Sequence, residues 1–98
     1  MDGELRTLLA ELETLGREND ARETDRDRRL LNITPDTGQL LAMLVRATQA
    51  RQVLEVGTSN GYSTLWLADA VRDTNGRVTT IERLATKVAM ARENFARG

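Results

Sequence analysis

Residues 53–63 read Val-Leu-Glu-Val-Gly-Thr-Ser-Asn-Gly-Tyr-Ser, and they carry the clearest structural signal in the chain. An aliphatic run ends at Gly57, a loop of small polar residues follows, and helix-forming residues resume after Gly61. This order predicts a strand, a tight turn and the start of a helix. Glycines let a ligand approach the backbone closely, and a helix N-terminus presents free N–H groups to a negatively charged group. We therefore expect a ligand site at this turn.

The composition limits the chemistry that the chain can perform. Its 98 residues form one small domain at most, with 40% hydrophobic and 30% charged residues, as in ordinary globular proteins. The chain has no cysteine, which excludes disulfides, thiolate catalysis and cysteine-based zinc sites, and no histidine, which is the commonest general base.

The net charge and the hydropathy of the chain indicate which partners and which location to expect. A net charge of −1 provides no general attraction to nucleic acid or to an anionic membrane surface. The first residues lack the basic and apolar segments of a signal peptide, and no apolar run approaches membrane-spanning length. We therefore expect a cytoplasmic protein that binds neither nucleic acid nor membrane.

We interpret residues 1–33 as an N-terminal helical region with a charged segment. Leucines recur there at spacings of three and four, at Leu5, Leu8, Leu9, Leu12 and Leu15. This pattern predicts an amphipathic helix from residue 4 to about 16, which packs on its own domain or, alternatively, forms a dimer contact. Residues 19–29 are almost all charged with alternating sign, which is typical of a solvated helix face or an exposed linker.

A second helix is predicted from Thr34 to about residue 50. Thr34 suits the N-cap, Pro35 the first helical position and Asp36 the first turn. Its apolar residues fall on one face, which we expect to lie against a sheet: Leu40, Leu41, Leu44 and Val45.

The remaining elements alternate between strands and helices. We predict strands at 52–56 and 77–81 and helices at 62–72 and 84–96. The first strand is short and almost continuously apolar, which favours a buried parallel strand, and Val78 and Ile81 are the clearest core residues of the second. A strand–helix–strand unit of this length indicates a parallel crossover. We therefore expect an α/β architecture with helices on both faces of the sheet.

Two acidic residues accompany these strands. Glu55 lies inside the first strand, where a carboxylate is costly unless it is paired or hydrogen-bonded, so we favour a role in the site. Glu82 follows the second strand and could accept both hydroxyls of a ribose. The loop matches neither a dinucleotide fingerprint nor a P-loop. It suits a ligand without phosphate and with a free ammonium, and S-adenosylmethionine fits.

The combined motifs resemble a known family. V-L-E-V-G-T-S-N-G-Y-S-T-L-W-L-A, with V-T-T-I-E downstream and I-T-P-D-T-G-Q-L-L upstream, is similar to class I S-adenosylmethionine-dependent methyltransferases. More narrowly, it resembles the cation-dependent O-methyltransferases that include the catechol and caffeoyl-CoA enzymes. The resemblance covers roughly residues 28–97. It implies a Rossmann-like α/β fold in which residues 34–98 form the N-terminal half of the S-adenosylmethionine-binding domain.

The resemblance also implies a set of cofactor-binding positions. Ser63 would bond the methionine carboxylate, Glu82 would hold the ribose hydroxyls, and the loop would wrap the ligand through backbone and side-chain contacts. The full set is Glu55, Gly57, Thr58, Ser59, Asn60, Gly61, Tyr62, Ser63 and Glu82.

The chain departs from the family in one respect. Family members continue into further parallel strands, which carry the Mg²⁺ ligands, the residue that flanks the adenine and the catalytic base. We therefore expect a fold that is truncated after the second strand and its helix, with catalytic residues unassigned and metal ligands absent. The first strand would keep one unpaired edge, so we expect a homo-oligomer formed through that edge or through the leucine stripe.

The resemblance implies an S-adenosylmethionine-dependent O-methyltransferase, present as an N-terminal fragment, that methylates a hydroxyl of a small-molecule acceptor. One alternative is a non-catalytic S-adenosylmethionine-binding or assembly module. Another is a nucleotide-dependent oxidoreductase, which the glycine pattern disfavours. We expect little or no turnover from these 98 residues alone.

Overall fold

The computed structural model describes every residue from Met1 to Gly98. Its helices are α1 (Gly3–Arg22), α2 (Pro35–Thr48), α3 (Tyr62–Val71) and α4 (Ala85–Arg97), and its strands are β1 (Gln52–Val56) and β2 (Arg77–Ile81). Short 3-10 turns lie at Arg26–Arg28 and Arg72–Thr74. Both strands have the predicted bounds. Helix α1 is longer than predicted, because it continues into the charged segment.

The two strands form a parallel sheet with α3 as the crossover. Gln52 lies opposite Arg77, and Val56 lies opposite Ile81. The sheet contains these two strands alone, so β1 is paired along one edge. The predicted parallel strand–helix–strand unit is thus confirmed.

Helix α1 supplies most of the hydrophobic core. Its leucines form one cluster with two residues of α3, and the members are Leu5, Leu8, Leu9, Leu12, Tyr62 and Leu65. Of the predicted stripe, only Leu15 is exposed. The stripe therefore packs on its own domain, and the alternative dimer contact through it is wrong because these leucines are already buried.

Helix α2 packs against α3. A Cβ atom on Gly38 would lie 2.6 Å from Trp66 Nε1, so glycine is required for this close approach. Near the end of α2, the Arg46 guanidinium forms ion pairs with the carboxylates of Asp69, at 3.0 Å, and Asp73, at 3.3 Å.

Helix α2 begins as predicted, but the surroundings of its apolar face differ from the prediction. Thr34 is the N-cap, its side chain bonds within the first turn, and Pro35 is the first helical residue. Leu40 and Leu44, however, are exposed. The prediction that this face lies against a sheet is wrong for this chain, because α2 packs on a helix and neither strand reaches that face.

One face of the sheet is uncovered. Leu54 is 68% exposed, Val56 is 80% exposed and Ile81 is 53% exposed. The predictions of helices on both faces, of a fully buried first strand and of Ile81 as a core residue are therefore wrong for this chain. The reason is that α3, the helix that packs on both strands, lies on the opposite face, where Val53 and Glu55 are half-buried. None of the helices has the length and apolar character needed to cross a membrane.

Candidate functional site

The loop between β1 and α3 has an open side and a packed side. Gly57, Ser59 and Gly61 all have positive φ, at 96°, 51° and 92°. No atom lies within 4 Å of the position where a Cβ on Gly57 would stand, whereas a Cβ on Gly61 would lie 2.6 Å from the Phe95 ring. A ligand can therefore approach the backbone at Gly57 but not at Gly61.

The loop is anchored to the carboxyl end of β2. The N–H groups of Gly57 and Thr58 donate to the Ile81 carbonyl at 2.8 and 3.1 Å, and the N–H of Gly61 donates to the Thr58 carbonyl at 2.9 Å. These backbone bonds hold the loop at the edge where the two parallel strands end.

Helix α3 begins at this loop without a side-chain cap on its N-cap residue, Gly61. The first N–H groups of a helix lack intrahelical partners, and the macrodipole adds positive potential there. Apart from the N–H of Tyr62, which donates to Asn60 at 3.2 Å, the start of α3 thus offers hydrogen-bond donors to an anionic group.

Glu82 lies next to the loop and is held by the backbone. Its Oε1 accepts from Ser59 N at 2.8 Å, and its Oε2 accepts from Leu84 N at 3.0 Å. Burial acts to raise the pKa of Glu82, but the N–H groups of Ser59 and Leu84 and the charge of Lys87 together outweigh it and hold the pKa below its usual range. The carboxylate is therefore ionised at neutral pH and keeps lone pairs for further donors.

Glu55 faces the helices and is satisfied within the fold. Its carboxylate accepts from the hydroxyls of Ser63 at 2.5 Å, Thr80 at 2.9 Å and Thr64. A hydroxyl has one proton. Because Ser63 gives its proton to Glu55, the predicted bond from the Ser63 hydroxyl to a ligand carboxylate is not available in this conformation. Ser63 can offer its backbone N–H instead.

Three other predicted residues turn their side chains inward. The Thr58 hydroxyl lies 2.5 Å from the hydroxyl of Thr80, and the fully buried Asn60 accepts from Tyr62 N at 3.2 Å. The Tyr62 hydroxyl donates to Glu13 at 2.6 Å, and burial together with this bond raises the pKa of Tyr62 well above its usual range. In this conformation the hydroxyls of Thr58 and Tyr62 and the side-chain oxygen of Asn60 are therefore engaged within the fold.

The charged segment, predicted to be a solvated face or an exposed linker, is partly fixed to the fold by Asp20. Its carboxylate accepts from Leu30 N at 2.7 Å and from Leu31 N at 2.9 Å. Burial acts to raise the pKa of Asp20, but the bonds from Leu30, Asn19 and Leu31 outweigh it, so the pKa lies below its usual range. No local sequence pattern indicates these contacts, because Leu30 and Leu31 lie 10 and 11 residues after Asp20 in the chain.

Two further bonds tie the same segment to the site. The Ser59 hydroxyl donates to the Leu30 carbonyl at 2.8 Å, and Lys87 Nζ donates to the Arg29 carbonyl at 2.8 Å. Lys87 is buried and lies on the helix that follows Glu82. Residues 29–31 therefore border the loop, which the sequence did not indicate.

The site does not fit a divalent metal. No group of three or more acidic side chains is placed to hold an ion. A metal-dependent step therefore has no set of ligands within these residues.

Comparison with known proteins assigns the family. A family model described as O-methyltransferase matches residues 4–98, so the chain belongs to this family. The chain is 39% identical over 67 residues to a catechol O-methyltransferase of Niastella koreensis, a match that covers 68% of this chain and 30% of that protein.

Solved structures agree with the fold. An O-methyltransferase from Bacillus cereus in complex with SAH has a TM-score of 0.70 and 32% identity, covering 99% of this chain and 39% of that one. An O-methyltransferase from Streptomyces achromogenes involved in tomaymycin synthesis, in complex with SAM, has a TM-score of 0.70 and 33% identity, covering 98% of this chain and 38% of that one. The predicted fold class is confirmed, and the chain spans well under half of each matched protein.

Proposed function

We propose that the chain supplies the N-terminal half of the cofactor site of an S-adenosylmethionine-dependent O-methyltransferase. The whole enzyme would transfer the sulfonium methyl group to a hydroxyl of a small-molecule acceptor. The observation that carries this proposal is the open backbone at Gly57 beside the ionised Glu82, at the ends of two adjacent parallel strands. This is where open α/β sheets bind their ligands.

Each part of the site would contact a different part of the cofactor. Glu82 would accept the ribose hydroxyls through the lone pairs that Ser59 and Leu84 leave free. The N–H groups at the start of α3, including that of Ser63, would bind the methionine carboxylate. Gly57 would let the ligand reach the loop backbone. Glu55 would support the site through its hydrogen bonds to Ser63, Thr64 and Thr80 and would not contact the ligand.

The proposal extends to the organisation of the chain. Residues 34–98 would form the N-terminal half of the cofactor-binding domain, and residues 1–33 a helical region packed on it. We propose a cytoplasmic location, which is compatible with a fold that uses no disulfide. We also propose self-association through the uncovered sheet face and the unpaired edge of β1. A Mg²⁺ requirement of the whole enzyme would have to be met by ligands outside residues 1–98.

A second candidate is a non-catalytic S-adenosylmethionine-binding or assembly module. It is favoured by the proposed roles of the site residues, which would all serve cofactor binding, with none that would contact an acceptor. Methyl transfer to a catechol by these residues in the presence of Mg²⁺ would exclude the module. Cofactor binding without turnover is expected of both candidates, because the leading proposal assigns methyl transfer to the whole enzyme.

Calorimetric titration with S-adenosylhomocysteine tests cofactor binding. We expect the chain to bind and Glu82→Ala to lose most of the affinity. Glu93→Ala, at an exposed position on α4, is the matched control and should bind like the parent. A folded parent that does not bind would contradict the proposal that this half-site holds the cofactor.

A further inference from the structure

Thr80 is at the centre of a hydroxyl network beneath the loop. It is paired with Glu55 across the two strands, and its hydroxyl donates to Glu55 Oε1 at 2.9 Å. The Thr58 hydroxyl lies 2.5 Å from the Thr80 hydroxyl. Because Thr80 gives its single proton to the carboxylate, Thr58 must be the donor in this second bond.

The network joins both ends of the loop. Glu55 also accepts from Ser63 and Thr64, in the first turn of α3. Thr58, at the start of the loop, thus connects through Thr80 to the same carboxylate that holds the end of the loop. Thr80 is the one member that β2 contributes.

Two side chains at the carboxyl end of β2, that of Thr80 on the strand and that of Glu82 just after it, therefore contact the loop. Thr80 bonds to Thr58, and Glu82, two residues further on, bonds to Ser59 N at 2.8 Å. These two contacts involve neighbouring loop residues. The position of the loop relative to Glu82 depends on both, together with the backbone bonds from Gly57 and Thr58 to the Ile81 carbonyl.

We propose that Thr80 is a positioning residue for the cofactor site, which holds the glycine loop at the correct distance from Glu82. This inference rests on the proposed function. Thr80 does not touch the ligand, because its hydroxyl is directed into the network. Its loss leaves the Thr58 hydroxyl without an acceptor and Glu55 with one donor fewer, and unsatisfied polar groups near a core favour rearrangement. Backbone bonds from Gly57, Thr58 and Gly61 and the bond from the Ser59 hydroxyl to Leu30 also restrain the loop, and Thr80 acts together with them.

Three variants test the proposal. Thr80→Val keeps the shape of the side chain and removes its hydrogen bonds, whereas Thr80→Ser keeps the hydroxyl. Thr79→Val is the matched control, since Thr79 lies on the uncovered face of the same strand. In titrations with S-adenosylhomocysteine, we expect Thr80→Val to weaken binding at least about tenfold, which corresponds to one or two buried hydrogen bonds. Thr80→Ser and Thr79→Val should bind like the parent.

Amide hydrogen exchange supplies a readout that needs no cofactor. Thr80→Val should speed exchange at the amides of Ser59 and Gly61 while leaving that of Leu8, in the core of α1, unchanged. Thr80→Ser should restore protection. Equal acceleration at loop and core would indicate a merely structural role and overturn the proposal, as would parent-like loop exchange in Thr80→Val. If the parent does not bind S-adenosylhomocysteine, the proposed function fails for this chain, and the exchange comparison still decides the role of Thr80.

Discussion

The two faces of the sheet are formed by the same two strands, but they differ in polarity and in burial. On the covered face, Glu55 and Thr80 belong to a closed hydrogen-bond network beneath α3. On the uncovered face, Leu54 and Val56 are aliphatic and mostly exposed. The difference shows that apolar character in a strand does not decide burial. Burial depends on whether another element of the chain packs on that face.

The uncovered face is unusual for a free surface. Adjacent exposed aliphatic residues are typical of surfaces that pack against another structure, and β1 has an unpaired edge beside them. The chain also covers only 30% of its Niastella relative and 39% of the Bacillus structure. These three facts together indicate that this face is suited to packing against further structure.

The largest effect is expected in the core on the covered side. Leu8 is 1% exposed, so Leu8→Ala should lower the free energy of unfolding by about 2–5 kcal/mol. Leu54→Ala, on the uncovered face, is the control and should change it by less than about 0.5 kcal/mol. Urea denaturation measures both. Similar losses in the two variants would contradict the contrast between the faces.

The two loop glycines also differ in packing, since Gly61 lies against Phe95 and Gly57 faces open space. Gly61→Ala would place a methyl group against Phe95 at positive φ, and should destabilise the protein by about 2–3 kcal/mol. Gly57→Ala meets open space and should cost about 1–2 kcal/mol, from backbone strain alone. Thermal unfolding compares them.

A further difference between the glycines should appear in binding. Gly57→Ala fills the open surface and should weaken affinity for S-adenosylhomocysteine more than its modest stability loss implies. Unchanged affinity in Gly57→Ala would show that the ligand does not approach there.

Acid should weaken the contacts that join the loop to its surroundings. The pKa values of Glu82 and Asp20 are lower in the folded state than their ordinary values of 4.5 and 3.8. Their contribution to stability is therefore fully present above those ordinary values, and it is lost as the pH falls through the lowered folded-state values. The thermal midpoint should fall from pH 6 to pH 3. The decline should be shallower in Glu82→Gln, and an identical pH profile would argue against a lowered pKa at Glu82.

The smallest effect on folding is expected on the uncovered face. The double variant Leu54→Thr/Val56→Thr keeps β-branched or strand-compatible side chains and should change the free energy of unfolding by less than about 1 kcal/mol. It should nevertheless reduce self-association of the chain in sedimentation experiments. Unchanged association would place the contact elsewhere on the molecule.

Local signals determined much of this protein. The bounds of both strands, the helix start at Thr34 and Pro35, and the placement of the glycine loop followed from patterns within a few residues. Glu82 could be placed at a strand end for the same reason, because a strand boundary fixes the position of the residue that follows it.

Only the tertiary structure decided which side chains meet. Glu55 bonds to Thr80 across 25 residues, Ser59 bonds to Leu30 across 29, and Lys87 bonds to Arg29 across 58. These contacts turned predicted ligand-binding hydroxyls inward and fixed part of a segment that reads as an exposed linker. The physical reason is that a hydroxyl or carboxylate bonds to whatever donor or acceptor the fold brings near, and the neighbouring sequence does not contain that partner.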